Sequence, residues 1–449
     1  MRKRLVAVLA VLALAVAACG NSDSDDDAEG GGGGDGGGGD AAVSVDQPGV
    51  TDSAIRVGGV VGTTNPLGLP YDNSCNGVRA YFDYVNETEG GVFGRDLELV
   101  ECLDDQTTKS KNQQQARKLV EETGVFAVLP VTTSTFGAAK YLAEEGVPTF
   151  GWNIQEEWSG PPNLFGERGS FICAGCTDPD VPYAAQQLGF DKVAVLSYTA
   201  PQSKQCADGN IESFQRYGFD VAFQDTSLAY GFTDISADVQ RIKDSGARFI
   251  ATCMDVNGNI RLAEGLRNAG VEGFAIYAPQ GYDQEFVAEF ADELGGFYFA
   301  VPFTPFEFED QNEGLALMRE WVEKGGYDVN EFALVGWSLA SMFVEGLKQA
   351  GEDFTRESVV DAVNQITDWT AGGIYPPIDW TKAHSEQWPT ACTAWVKVEG
   401  GSFVPVFGTD TEPFVCVGGK DVETLPDPAP TLAANDPSTW DKVFEALGG

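Results

Sequence analysis

Phe126-Ala127-Val128-Leu129-Pro130-Val131-Thr132-Thr133-Ser134-Thr135 starts as an unbroken apolar run and ends in four hydroxyl residues. A short apolar run of this kind suits a strand buried on both faces, as in a parallel sheet, rather than a half-solvated one. Helical spacing follows over roughly 136–145, Gly146 stands where that helix would end, and Pro148–Trp152 forms the next apolar run. Strand, helix and strand in that order make a βαβ unit.

The pattern repeats in both directions. Apolar runs at Ile55–Val61 and Leu97–Glu101 precede it, and Lys192–Tyr198, Asp220–Phe223, Arg248–Cys253, Phe274–Tyr277 and Gly296–Val301 follow. Helical spacing fits about 77–88, 110–122, 181–188, 207–217, 234–245, 257–269, 283–293, 312–325, 331–350 and 355–366. Gly246, Gly270 and Gly351 again fall at helix ends. Two sets of alternating elements emerge, divided by Cys173–Pro182. The expected class is α/β, two Rossmann-like lobes with parallel sheets joined by a crossover. Gly58-Gly59-Val60-Val61-Gly62 lacks the glycine spacing and acidic ribose anchor of a dinucleotide site, and reads as a tight turn between strand and loop. Trp321, Trp337 and Phe343 follow helical spacing and read as core.

The 449 residues carry 28 Lys+Arg against 68 Asp+Glu, a formal charge of −40, and 43% are hydrophobic. That length suits two or three domains, with enough apolar residues for a sizeable core. The charge opposes nucleic-acid binding, which needs a Lys/Arg surface. His384 is the only histidine, which nearly excludes imidazole-pair catalysis and a poly-His zinc site. No metal and no cofactor are expected. The adjacent acids Asp104-Asp105, Glu121-Glu122 and Glu144-Glu145 read as solvated faces.

Arg2, Lys3 and Arg4 precede an apolar run from Leu5 to Ala18 that ends at Cys19. A basic segment before a short apolar one is a secretion signal, too short for comfort in a bilayer where about 20 residues are needed. Val16-Ala17-Ala18-Cys19 followed by Gly20 resembles a bacterial lipobox, which implies that Cys19 is lipidated and becomes the mature N-terminus. The plainer reading is an ordinary cleavage near Ala18 that leaves a free thiol. The Gly-rich, acidic stretch after it has no bases up to residue 50 and reads as a disordered tether spanning roughly 30 Å.

Eight further cysteines, an even number in an exported chain, imply disulfides. Their placement on the expected elements pairs Cys75 with Cys102, Cys392 with Cys416 and Cys206 with Cys253. Cys173 and Cys176 are left as a local loop. A redox reading of this CxxC is the weaker one, because a strand and a helix do not flank it.

Taken in order along the chain, several passages resemble the substrate-binding proteins of branched-chain amino acid ABC transporters, of the type I periplasmic binding fold. They are Ile55-Arg56-Val57-Gly58-Gly59, Asn86–Gly94, Leu103-Asp104-Asp105-Gln106 with its helix to Lys118-Leu119-Val120, Phe126–Thr135 with Ala143–Pro148, and Phe332–Leu347 with Ala350-Gly351 and Thr355-Arg356. The resemblance covers about 54–418 and implies two lobes that close by a hinge on a small-molecule ligand. It implies a signal peptide at 1–18, the lipidated tether at 19–50, lobe 1 at 51–175 and lobe 2 at 176–300. Returns to lobe 1 at 301–370 and to lobe 2 at 371–420 follow, then an acidic, Pro-rich tail at 421–449.

For ligand contact, Thr132, Thr133 and Ser134 offer hydroxyls and free N–H groups at a strand end and helix start, although a simple N-cap explains one of them. Asn153 and Gln155 match the family's second ligand-contacting segment, with Trp152 as wall packing. Tyr71 in the first lobe, and Tyr198, Gln202, Asp255, Gln280 and Tyr282 in the second, fall on strand-end loops facing the cleft. Gln280 stands where the branched-chain binders carry a Glu for the ligand ammonium, so Asp255 supplies that charge or the ligand is an amide, a urea-like compound or a carboxylate. The insertion Thr199–Gln205 blurs the matching there.

The function implied is a non-catalytic, monomeric lipoprotein on the outer face of the cytoplasmic membrane that delivers a small polar solute to ABC permease subunits. It would touch the membrane through its lipid alone. A ligand sensor of the same fold is the alternative. A thiol oxidoreductase using Cys173 and Cys176 is the alternative of another class.

Overall fold

The computed structural model describes residues 44–66, 68–169, 178–384, 392–409 and 411–416. Cys19, the signal and most of the tether, the Cys173/Cys176 pair and the tail lie outside them.

The apolar runs form strands because their side chains are covered on both faces. In the first sheet β1 (Ala54–Val61), β2 (Asp96–Asp104), β3 (Ala127–Thr132), β4 (Thr149–Gly151) and β5 (Leu164–Gly166) run parallel in the order β2-β1-β3-β4-β5. All six residues of β3 are buried. In the second sheet β6 (Lys192–Tyr198), β7 (Asp220–Leu228), β8 (Phe249–Cys253), β9 (Ala275–Tyr277) and β10 (Phe297–Val301) run parallel. Antiparallel strands β11 (Cys392–Glu399), β12 (Ser402–Val406) and β13 (Phe414–Cys416) extend it, giving β12-β11-β10-β9-β8-β6-β7 with β13 beside β11.

Helices α1 (Asn73–Glu89), α2 (Lys109–Arg117) and α3 (Ala139–Glu144) accompany the first sheet. The second carries α4 (Asp180–Gln187), α5 (Pro201–Arg216), α6 (Ser236–Ser245), α7 (Val256–Asn268) and α8 (Gln284–Glu289). The chain then returns through α9 (Glu313–Lys324), α10 (Glu331–Ala350), α11 (Arg356–Val363) and α12 (Trp380–Ala383) to lobe 1. α10 begins where the Asn330 side chain accepts from the Ala333 N–H at 3.0 Å. α11 begins with a reciprocal cap between Thr355 and Ser358. Trp321, Trp337 and Phe343 are buried.

One close approach sets the geometry of lobe 1. A Cβ on Gly77 would lie 1.9 Å from the Ala333 carbonyl oxygen, and one on Gly336 would lie 1.8 Å from that of Ser74. Only glycines let the backbones of α1 and α10 meet this closely. The contact brings the start of α10 beside the loop after β1, where Phe332 meets Tyr71 edge-on at 5.0 Å.

The structure departs from the sequence reading in five places. Helix α3 starts at Ala139 with Ala138 before it, so Thr132–Thr135 lead into a loop and not into a helix start. Leu164–Gly166 is a strand too short to carry a periodic signal. Helix α5 starts at Pro201, a residue suited to the first helical turn, ahead of the expected start near 207. Residues 371–384 stay with lobe 1 rather than crossing at 371: Trp380 packs edge-on against Phe165 at 5.0 Å. Asp105 is not on a solvated face but fully buried. Its carboxylate accepts from Asn112 Nδ2 and from the Thr107 N–H, each at 2.8 Å.

Disulfides join Cys75 to Cys102, Cys206 to Cys253 and Cys392 to Cys416. The first ties α1 to β2, and the second ties α5 to the end of β8.

Candidate functional site

Strand order reverses between β1 and β3 in the first sheet and between β6 and β8 in the second. In open α/β sheets ligands bind outside the carboxyl ends of the strands at such a reversal. The first reversal is edged by Gly62, Thr132 and Thr133, the second by Tyr198 and Asp255. They meet across the cleft, where the Tyr230 hydroxyl after β7 donates to the Pro66 carbonyl after β1 at 3.3 Å. Tyr230 packs edge-on against Tyr198 at 5.3 Å. Asn65 braces the opposite loop through its Nδ2, which donates to the Gly62 and Leu69 carbonyls at 2.9 and 2.7 Å.

On the lobe 1 side Thr132, Thr133 and Tyr71 are all buried. Thr132 Oγ1 has no hydrogen-bond partner among the described residues. Thr133 Oγ1 accepts a long bond from the Thr135 N–H at 3.4 Å and lies against Asp105. Burial pushes the Asp105 carboxyl up, opposed by hydrogen bonds from Asn112 and Thr133. Ser134 is half-buried. The rings of Tyr71, Trp152 and Phe332 lie within 5.0–5.7 Å of one another. Trp152 Nε1 is buried without a partner among the described residues.

Other expected contact residues spend their polar groups inside the protein. Gln155 donates to the Thr133 carbonyl at 2.6 Å and accepts from Trp158 Nε1 at 3.0 Å. Asn153 is fully buried and donates to the Gly169 carbonyl at 2.8 Å, while its Oδ1 has no partner among the described residues. Tyr282 donates to Glu307 at 2.6 Å and accepts from the Phe306 N–H at 2.7 Å. These three fix backbone around the cleft. Asp255 caps α7, accepting from the Gly258 N–H at 2.7 Å and from the Tyr198 hydroxyl at 3.3 Å. Burial raises the Tyr198 phenol, and Asp255 raises it further. Gln202 is exposed on the first turn of α5, and Gln280 is half-buried.

Two acids with raised pKa values were absent from the sequence reading. Glu167, leaving β5, is buried; its carboxylate accepts from Arg168 Nε at 3.1 Å and from the Tyr375 hydroxyl at 3.2 Å. Burial drives its pKa up against the pull of Arg168 and Tyr375. Glu331, first residue of α10, keeps part of its surface open to solvent although protein encloses it, as a group on a cleft floor does. Burial first, and Glu167 second, push its carboxyl up to about 7, with Arg168 opposing. An acid just after Asn330 looks in sequence like an ordinary first-turn helix residue, so no local signal marked it. The arrangement offers hydroxyls, an aromatic wall and carboxylates to a small solute held between two lobes. Among the described residues no group of three or more His, Cys, Asp or Glu is placed to hold a metal ion.

The chain matches no curated protein. Among solved structures it is similar to a fatty acid ABC transporter substrate-binding protein from Thermomonospora curvata, at 18% identity and a TM-score of 0.64 over 81% of this chain and 94% of that one. It is also similar to the branched-chain amino acid transporter substrate-binding protein of Streptococcus pneumoniae, in complex with isoleucine (18%, 0.63, 79% and 100%). A branched-chain amino acid ABC transporter from Thermus thermophilus with bound valine is a third (18%, 0.63, 85% and 98%). These likenesses establish the type I periplasmic binding fold. Residues 54–402 match the family described as periplasmic binding protein, and the chain belongs to that family.

Proposed function

We propose that the protein is the solute-binding lipoprotein of an ABC importer, anchored outside the cytoplasmic membrane through Cys19 and acting as a monomer. It would hold a small polar solute and present the closed form to permease subunits. The observation that carries this reading is the facing of two strand-order reversals across one cleft, with Tyr230 reaching Pro66 between them. The role is binding, not catalysis, and an exported family suits the secretion signal and the disulfides. The ligand is an amino acid or a compound of similar size. Amino-acid and fatty-acid binders both share the fold, so the solute must be read from this cleft.

A thermal-shift screen across amino acids, amides, ureas and short carboxylates tests the reading. Stabilisation by at least one class is expected, and none by any class would refute it. For the anchor, the wild type should partition into membranes and Cys19→Ala should be released. Equal membrane association of both would remove lipidation from the account.

A further inference from the structure

Within that solute-binding reading, we propose that the ligand carries a cationic amine and that Glu331 is its counter-ion. The argument starts from which donors around Glu331 are already engaged. Tyr71 faces it from the loop after β1, Glu167 and Arg168 from the end of β5, Tyr282 from the loop after β9, and Tyr375 from the segment before α12. Arg168 and Tyr375 bond to Glu167. Tyr282 bonds to Glu307, which also accepts from Gln284 Nε2 at 3.1 Å. No hydrogen bond or ion pair engages the Glu331 carboxylate among the described residues.

Two further groups beside it are also unpaired. Tyr71 is 1% exposed, and its hydroxyl makes no hydrogen bond to a described residue. The ring of Trp152, 5.5 Å from Tyr71, carries the orphaned Nε1. Buried polar groups in native proteins are satisfied by a partner, a water or a ligand; Trp152 Nε1 is such a buried orphan, and with the unbonded Tyr71 hydroxyl and Glu331 carboxylate near it the cleft floor offers three groups to which a ligand can bond. The acceptor decides the sign of the charge. An enclosed carboxylate beside another acid is costly unless a cation joins it, and aromatic rings on the adjoining wall favour an ammonium by cation–π attraction. A first-turn acid that only complements the helix dipole would stand at the surface, not against a like charge. Arg168 is held by Glu167, which leaves the floor net negative even with it counted.

The test uses the detergent-solubilised full chain and matched probes on two hydrocarbon frames. The probes are isobutylamine, isobutyrate and isobutyramide, then benzylamine, benzoate and benzamide, with leucine and phenylalanine added. Amine-bearing probes should stabilise the protein and the carboxylate-only and amide probes should not. Because Glu331 titrates near 7, affinity for the amine should fall about tenfold from pH 8 to pH 6. Glu331→Gln should weaken the amine at least about tenfold while its far-UV circular dichroism stays that of the wild type. Should that variant not fold, the wild-type pH profile decides, and a flat profile overturns the proposal. Stabilisation by carboxylates or amides alone overturns it and leaves the solute-binding reading intact. Silence of every probe counts against both. An amine bound equally well by Glu331→Gln refutes the counter-ion role.

Discussion

Gly336→Ala puts the crossing of α1 and α10 to a direct test. The added Cβ would stand 1.8 Å from the Ser74 carbonyl oxygen. A carbon–oxygen contact tolerates roughly 3.3 Å, so the helices must part by about 1.5 Å, and the obstacle is backbone that cannot swing aside. Overpacking of this kind costs about 1–3 kcal/mol. Alanine returns up to about 1 kcal/mol of helix propensity over glycine, which leaves a net loss of about 2 kcal/mol when the strain is at the upper end. In a lobe of this size that lowers Tm by about 4–8 °C. The parting also moves Glu331 and Phe332 away from Tyr71 and Trp152, so ligand affinity should fall with stability. Calorimetric melts of the wild type and the variant measure the first, and titration with whichever solute the screen finds measures the second. Gly265→Ala is the control, because its Cβ would meet a Val239 methyl at 2.8 Å, a side-chain atom able to move. Gly77→Ala combined with Gly336→Ala should cost less than the sum, since helices already parted admit the second methyl. A Gly336→Ala protein melting above the wild type would refute the close crossing.

Tyr230→Phe removes the bond to Pro66 and should weaken ligand binding about two- to fivefold by titration, with the unliganded melt unchanged; unaltered affinity would deny the contact any part in closure. Asp255→Ala removes the cap of α7 and should cost about 1 kcal/mol in urea unfolding, whereas Asp255→Asn, which can still cap, should cost less; equal losses would place the effect elsewhere. Glu331 has a raised pKa in the folded chain, so it binds protons there that the unfolded chain has already released. Its contribution to stability therefore falls as pH rises from about 4.5 to about 7. His384, lowered to about 4 by burial, works in the opposite direction, and its contribution is lost as pH falls from 6.5 towards 4. Melts across pH 4–8 should show the wild type losing ground to Glu331→Gln above pH 5 and to His384→Gln below pH 6. Parallel curves would show that neither group is held as described.

The lobes were legible because strands covered on both faces leave contiguous apolar runs. Lys192–Tyr198 and Glu331–Ala350 coincide with their elements to the residue. Legibility failed where an element is too short for a period, as at Leu164–Gly166, or where a polar-looking sequence is helical, as at Pro201–Gln205. The chain's crossing after residue 370 was misplaced for a different reason. Trp380 belongs to lobe 1 through its packing on Phe165, and no local pattern states which lobe an aromatic will be buried in. Asp105 shows the same limit. Paired with Asp104 in sequence it looks solvated, yet Asn112 and the Thr107 N–H take it into the interior.

The same limit separates the residues that shape the cleft from those left to a ligand. Thr133, Asn153, Gln155, Tyr282 and Glu331 are all polar groups near strand or helix ends, and composition alone ranks them equally. The hydrogen bonds divide them. Gln155 and Tyr282 are used up in holding Thr133, Glu307 and Phe306, and Asn153 spends its Nδ2 on Gly169, whereas Asn153 Oδ1, Tyr71, Trp152 and Glu331 keep capacity unused. That capacity also bears on closure. At the cleft mouth the bond from Tyr230 to Pro66 is neutral and long, worth about 1 kcal/mol at most. Closing over an empty cleft would strip water from Glu331 without giving its carboxylate a partner, an opposing cost of several kcal/mol. A bound ammonium removes that cost, so its differential affinity for the closed arrangement is what shifts the population. One residue then sets both which solute is taken and whether the lobes stay shut.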